Sequence, residues 1–314
     1  MEFATRPYTD ADADAVAELI NDITRGIPAG GILPVSEIRA GMSDVRDFAT
    51  DSRVVCALDG SLAAVAATSP PPEGGFRASL WGGVAHRWRG QGIGRDLFSW
   101  QIDRAADIHR EVASDVEWIG TSVAYVADAA SIRLYERFGL KIRRYFLRME
   151  AQLGADGSGD TKPLDGFRIT DGSGVDPQAL YAADMDAFAD HFGFQSEELA
   201  SWLRHNIDAE DYWPEMSRIA YDGDDIAAYV LSMREDDVNG VYVARVGTRR
   251  PWRKRGLASA LIADLLRAAS AGGVATAALN VDADSLTGAV GVYTRNGFVA
   301  TDREVSYAKV FPAV

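Results

Sequence analysis

Two stretches of this chain carry the same three landmarks in the same order, and that repeat restricts the possible folds more than any other feature. The first landmark is a basic turn, Arg89-Gly90-Gln91-Gly92-Ile93-Gly94 in one stretch and Arg253-Lys254-Arg255-Gly256-Leu257-Ala258 in the other. Trp88 precedes one and Trp252 the other. Strand-like runs, Phe76 to Val84 and Val241 to Val246, lead into the turns, and helix patterns leave them. Ile93, Leu97, Phe98 and Ile102 share one helix face; Leu257, Leu261, Ile262, Leu265 and Leu266 share the other. About forty residues later comes the second landmark, Leu134-Tyr135-Glu136-Arg137-Phe138-Gly139-Leu140 and Val292-Tyr293-Thr294-Arg295-Asn296-Gly297-Phe298. Ahead of each turn lies the third, a hairpin signal at Asp59-Gly60 and at Asp222-Gly223. Such an internal repeat predicts two domains of one build.

The basic turn has a chemistry of its own. A strand, a tight turn and a helix start leave free backbone N–H groups at the positive end of a helix dipole, which is an anion site. Gly256 removes the Cβ that would hold a phosphate away, and Ala258 is nearly as small. Gly90, Gly92 and Gly94 leave even more room in the first turn. A strand-to-helix turn with positive φ uses glycine in any case, so both accounts of the first turn stand.

Read in order, residues 3–6 predict a strand, Asp10 to Ile23 a helix, Gly26 to Pro34 a loop and Val35 to Met42 a second helix. Trp118 to Val126 predicts a strand, Ala129 to Phe138 a helix stopped by Gly139, and Ile142 to Met149 the strand that closes the half. The Gly-, Asp- and Ser-rich run around 153–165 reads as a linker. The pattern restarts at Phe167-Arg168-Ile169, with helices over Pro177 to Phe188 and Ser196 to His205, strands over Arg218 to Tyr221, Ile226 to Ser232 and Thr276 to Val281, and a last strand over Val305 to Val310. The division is therefore 1–152, linker 153–165, and 166–314. Strands and helices interleave without a regular βαβ rhythm, so the fold class is mixed α/β with a largely antiparallel sheet in each half, flanked by helices.

Charge excludes some partners. The 314 residues carry a formal net charge of −14, whereas binding to nucleic acid or an anionic membrane relies on a surplus of Lys and Arg. Cys56 is the only cysteine, so no internal disulfide is possible, and its strand-like surroundings suit a small buried hydrophobe. The start of the chain has no apolar signal region, no segment is long enough for a membrane span, and the expected location is the cytoplasm. His86, His109, His191 and His205 are scattered, with no metal-ligand spacing.

A basic turn of the form Arg-x-x-Gly-x-Gly/Ala after a strand, followed by a Tyr-x-x-x-Gly-Phe segment, resembles the GNAT family of N-acetyltransferases. The resemblance covers both halves, and the duplication is similar to the two-domain layout of mycothiol synthase. It implies tandem GNAT domains and transfer of an acetyl group from acetyl-CoA, or another short acyl-CoA, to a primary amine of a small molecule. Attack is direct, without a covalent enzyme intermediate. By the resemblance, the backbone of Arg253, Lys254, Arg255, Gly256, Leu257 and Ala258 holds the pyrophosphate. Val246 and Thr248 pair with the pantetheine arm, and Asn280 reaches the arm or the acceptor. Arg89, Gly90, Gln91, Gly92, Ile93 and Gly94 form the matching site of the first half.

Tyr293 stands where the family places the tyrosine that protonates the departing thiolate; the other reading is a core aromatic with its hydroxyl at the surface. Tyr135 is its counterpart in the first half, where Leu140 replaces the usual Phe. The second half is thus the expected catalytic half and the first a non-catalytic one. The base has no clear holder. The family's glutamate position falls on Tyr242, and on Ala78 in the first half, which leaves Glu235, Asp236 and Asp237 as conceivable carboxylates. For the acceptor, the second half offers Asp184, Asp186, Asp190, His191, Trp202, Tyr212, Trp213 and Tyr242, and the first mainly Gly26, Pro28, Gly30, Gly31 and Pro34. Acids among aromatics suit a cationic amine, and acids on an amphipathic helix equally suit water. The rival readings are a non-catalytic acyl-CoA-binding protein and a protein or peptide N-acetyltransferase.

Overall fold

The computed structural model describes residues 3–25, 27, 32–113, 115–154, 164–191, 193–235, 238–285 and 288–313. Most of the expected linker lies outside them, as do Gly26, Pro28, Gly30, Gly31, Asp236 and Asp237. The chain forms two compact units, Met1–Arg144 with Glu304–Val314, and Tyr145–Arg303.

In the first unit the sheet runs β1 (Ala4–Arg6), β2 (Ser52–Cys56), β3 (Leu62–Ser69), β4 (Arg77–Val84), β5 (Trp118–Tyr125) and then β12 (Val299–Phe311), the last strand of the chain. Only the β4–β5 pair is parallel. Period-2 alternation sends neighbouring side chains to opposite faces. Val54 and Val65 meet α1 (Ala13–Thr24) and α2 (Val35–Met42) through Val16, Leu19, Ile38 and Met42. Val55 and Ala64 meet α4 (Ile93–Val112) through Ile93 and Leu97. A short α3 (Phe48–Asp51) feeds β2, and α5 (Ala129–Arg137) follows β5. Asp128 caps α5 by accepting from the N–H groups of Ala130 and Ser131.

The second unit repeats this plan. Its sheet runs β6 (Lys141–Gln152, from Tyr145 onward), β11 (Thr276–Asp282), β10 (Gly240–Thr248), β9 (Asp225–Glu235), β8 (Arg218–Asp222) and β7 (Arg168–Thr170). One face carries α6 (Pro177–Phe188) and α7 (Leu199–Asn206), which pack Leu180, Ala183 and Trp202 on Ile219, Tyr229 and Leu231. The other carries α8 (Leu257–Ala271), which packs Leu257, Leu261, Ile262 and Leu265 on Ala227, Val230, Val241 and Val243, and then α9 (Ala289–Arg295). Each fully buried Leu, Ile or Val among them contributes about 1.5–3 kcal/mol. Asp176 starts α6 by accepting from Gln178 N–H, with Pro177 in the first turn. The next helix begins at Leu199 rather than Ser196, because Glu197 stays outside it and accepts from Ser201 Oγ at 2.6 Å. Among the described residues no helix is long and apolar enough to cross a membrane.

The compact units and a division in chain order differ by the last strand of each half. Beyond Tyr145, β6 pairs antiparallel with β11, Arg148 facing Asn280 and Met149 facing Leu279. Residues Glu304 to Phe311 of β12 pair antiparallel with β5, Tyr307 facing Ser122. The strand after each Tyr segment thus joins the sheet of the other half. Because the halves are repeats, β5 and β11 offer equivalent edges, and local pattern carries no signal for which edge is taken.

Candidate active site

The two central strands of the second unit part company. β10 and β11 run parallel only from Gly240 to Tyr242, against Thr276 to Ala278. Past that point β11 stays with β6 as far as Asp282 and β10 stays with β9 as far as Thr248. A bulge between Val243 and Arg245 bends β10 just where the strands separate. One edge of β10, Val246 and Thr248 included, then has no strand partner among the described residues. Its N–H and C=O groups are a template for an extended ligand chain.

A buried network holds this bent segment. The Asp184 carboxylate, fully buried, accepts from Trp202 Nε1 at 2.8 Å, from the Tyr229 hydroxyl, and from Arg245 Nε and Nη2 at 2.9 and 2.5 Å. Four elements, α6, α7, β9 and β10, meet at one carboxylate. Burial and the Asp184 charge push the Tyr229 phenol well above its ordinary pKa. The Tyr229 ring lies across Gly247, where a Cβ would come within 2.2 Å of ring atoms, so only glycine fits.

Next along the chain is the basic turn. Lys254 and Gly256 both adopt left-handed backbone, φ 64° and 84°, and Gly256 caps α8. A Cβ on Gly256 would meet nothing within 4 Å, so the space above the helix start is open. The side chains of Lys254 and Arg255 are exposed and unpaired among the described residues. Arg253 is committed instead: its Nε donates to Thr248 O at 3.1 Å, Nη1 to Asp190 Oδ2 at 2.6 Å, and Nη2 to Asp190 Oδ1 and Ala187 O, each at 2.9 Å. It is a clamp between strand end and helix end. The same hydrogen bonds hold the Asp190 carboxyl well below the usual carboxylate range. Asp186 takes Arg249 Nε at 2.7 Å. Asp184, Asp186 and Asp190 therefore neutralise Arg245, Arg249 and Arg253, and their charge gives no ground for a cationic acceptor. His191 stacks on Phe188 at 4.4 Å, and burial pushes its pKa down.

Tyr293, on α9, is 8% exposed and packs edge-on to Phe298. Burial pushes its phenol up to about 12. Its hydroxyl makes no hydrogen bond to any described residue, a free donor on a buried ring. Asn296, which sequence reasoning passed over, ties α9 to α8 through Nδ2 to Ser259 Oγ at 2.9 Å. Asn280 lies on β11 beyond the split and Tyr242 at its base, where Arg148 covers the Tyr242 ring.

The first unit has the same parts, and β4 and β5 also separate after Ser79. β4 pairs with β3 without interruption from Val84 to Ser79, so there is no bulge. At the end of the parallel stretch with β5, Thr121 Oγ1 donates to Ala78 O at 3.1 Å, and just beyond it buried Ser122 Oγ donates to Leu80 O at 2.8 Å. Ser122 stands as far before Tyr135 as Asn280 stands before Tyr293. The Tyr135 hydroxyl donates to Val123 O at 3.2 Å, and burial, with the Asp128 charge, pushes its phenol up to about 12. Arg89 clamps Val84 O and Asp128 as Arg253 clamps its own strand end. Gly90 and Gly92 take φ 81° and 90°, and a Cβ on Gly94 would press on Val84 at 3.3 Å. Gln91 and Ile93 continue the turn into α4. Backbone geometry and packing thus account for all three glycines of the first turn.

The comparisons with known proteins agree with this geometry. The sequence profile described as "Acetyltransferase (GNAT) family" matches residues 18–140 and again 178–298. No curated protein sequence matches the chain. Among solved structures, a GCN5-related N-acetyltransferase from Sphaerobacter thermophilus superimposes with TM-score 0.74 and 26% identity, over 99% of this chain and 97% of that one. A tandem GNAT protein from the clavulanic acid biosynthesis pathway gives 0.71 at 14% identity over 98% of each chain. The N-myristoyltransferase of Saccharomyces cerevisiae, solved with bound myristoyl-CoA, gives 0.64 at 12% identity, over 99% of this chain and 79% of that one. With both halves matched, this chain belongs to the GNAT acetyltransferase family and carries two of its domains in tandem.

Proposed function

We propose that the second unit transfers an acyl group from a short acyl-CoA, acetyl-CoA foremost, to the primary amine of a small molecule, and that the first unit is its scaffold. One observation carries this reading. The second unit combines an unpaired β10 edge, an open left-handed turn with free basic side chains and a tyrosine with a free hydroxyl, whereas in the first unit Ser122 Oγ takes the carbonyl of Leu80 and Val123 O takes the tyrosine hydroxyl.

The fit to CoA is local and chemical. Backbone N–H groups from Lys254 to Ala258 face the open space over Gly256, and Lys254 and Arg255 add charge for a pyrophosphate. Arg253 shapes the turn rather than binding. The Val246 and Thr248 edge of β10 offers hydrogen bonds to a pantetheine arm, and Asn280 flanks the same gap. Acyl-CoA supplies the activated thioester. The chain aligns it with the amine, which removes most of the entropic barrier. Tyr293, protonated throughout the physiological range, supplies the proton for the departing thiolate. A direct attack fits, because the site needs no nucleophile of its own.

Isothermal titration with acetyl-CoA should give one equivalent per chain, lost on Gly256→Asp, which sets a carboxylate against the pyrophosphate, and kept on Gly92→Asp. Two equivalents in the wild type would show that the first unit also binds. Thiol release with a panel of amines separates an enzyme from a binding protein: binding without release with any amine or peptide would leave the retired-enzyme reading.

A further inference from the structure

A polar bar crosses the sheet of the second unit and is unused in the reading above. Arg148 faces Asn280, Ala278 faces Tyr242, and Glu235 faces Gly240, so Arg148, Tyr242 and Glu235 share one side of the sheet, the side of α6 and α7. Arg148 Nη2 donates to Glu235 Oε1 at 2.7 Å and Nε to Glu150 Oε1 at 3.2 Å. The guanidinium carbon lies 5.4 Å from the centre of the Tyr242 ring. Small Ala278 leaves room for Arg148 to pass over β11. The contact therefore sits at Tyr242, where β10 and β11 separate.

The bar is built and incomplete. The Arg148 side chain is 10% exposed and that of Glu235 14%. Two carboxylates share one guanidinium, which leaves one negative charge over. Glu235 Oε2 is buried and accepts no hydrogen bond from the described residues. An orphaned buried acceptor is a cost that native proteins rarely carry without a reason. A donor that arrives with a ligand removes that cost. The bar thus links the Glu235 carboxylate, through one guanidinium, to the Tyr242 ring at the point where the strands part.

We propose that Glu235 is the acceptor-binding carboxylate: its free Oε2 takes a hydrogen bond from a primary ammonium group and then takes its proton. The proposal rests on the acyl-transfer reading. The ammonium loses one proton to Glu235, and the neutral nitrogen attacks the thioester carbon. A C–N bond forms and the C–S bond breaks. Tyr293 gives its proton to the sulfur and regains one from the nitrogen, and Glu235 releases its proton to water. The sum is amide, thiol and one proton. Arg148 is a positioning residue, which keeps the carboxylate aimed.

The test uses two nucleophiles, an alkyl primary amine that is protonated at neutral pH and hydroxylamine, which is largely uncharged there. With Glu235→Gln, thiol release with the alkyl amine should fall about 10²-fold or more and recover as rising pH deprotonates the amine in solution. Release with hydroxylamine should stay near wild type, and the acetyl-CoA titration should be unchanged. Equal losses with both nucleophiles, or no loss with either, overturn the proposal. If the glutamine variant does not fold, Glu235→Asp must show the same selective loss, or the proposal falls. A wild type that releases no thiol with either nucleophile overturns the acyl-transfer reading and this proposal with it.

Discussion

Asp184→Ala should destabilise the second unit by about 3–5 kcal/mol, the range for removing one partner of a buried ion pair. The carboxylate serves three donors at once, so its loss strands the Arg245 guanidinium, the Tyr229 hydroxyl and the Trp202 indole N–H together. Arg245 retains 27% side-chain exposure, which lets water recover part of its charge and keeps the figure from rising further. Truncation also leaves a cavity beneath α6. Urea unfolding followed by tryptophan fluorescence measures the loss, since Trp202 is itself a member of the network. Asp184→Asn keeps the volume and one acceptor oxygen, and should lose about half as much. The same variants should weaken acetyl-CoA binding, because Arg245 anchors the strand just past the bulge that opens β10. A loss below about 1 kcal/mol for the alanine variant would mean that the bent strand is held by packing alone.

What the sequence showed and what it hid divide along one physical line. The two turns, the two helices leaving them and the two tyrosine segments are local: Gly256 at a helix start, or Leu257, Leu261 and Leu265 on one stripe, depend on neighbours in the chain. Apart from Leu140 in the place of Phe298, what distinguishes the halves is long-range. Ser122 reads as an ordinary strand residue until its hydroxyl is found on Leu80, and Tyr135 differs from Tyr293 only by that neighbour until Val123 takes its hydrogen bond. Asp186 and Asp190 read as a free acidic face until Arg249 and Arg253 are seen to occupy them. Arg148 comes from the far side of the linker to Glu235, 87 residues away. The exchange of β6 and β12 is the extreme case: two interchangeable strands, two interchangeable edges, and no local rule that assigns them. Gly247 had a detectable signal, a glycine inside a valine-rich strand, which often marks a close approach of another group.

The pair Tyr293→Phe and Tyr135→Phe separates the two units by chemistry rather than by shape. Tyr293 is a buried ring and Tyr135 a half-buried one, and burial raises both phenols to about 12. Their partners differ, and the outcome should follow the partners. Tyr293→Phe removes a donor that no described residue uses, so the fold loses almost nothing, while turnover should fall about 10²- to 10⁴-fold, the range for a lost general acid. The loss should appear in kcat and kcat/KM alike, with the acetyl-CoA dissociation constant unchanged, the signature of a group used only in the transition state. Because the phenol stays protonated up to about 12, the deficit should be constant from neutral pH to the upper end of any practical assay. Tyr135→Phe breaks a hydrogen bond to a strand carbonyl and should lower stability by about 1 kcal/mol with turnover near wild type. Similar turnover losses from both substitutions would mean two working sites. Loss of turnover on Tyr135→Phe alone would move the chemistry to the first unit, where Ser122 would have to release Leu80 before an acyl-CoA arm could pair with β4 there.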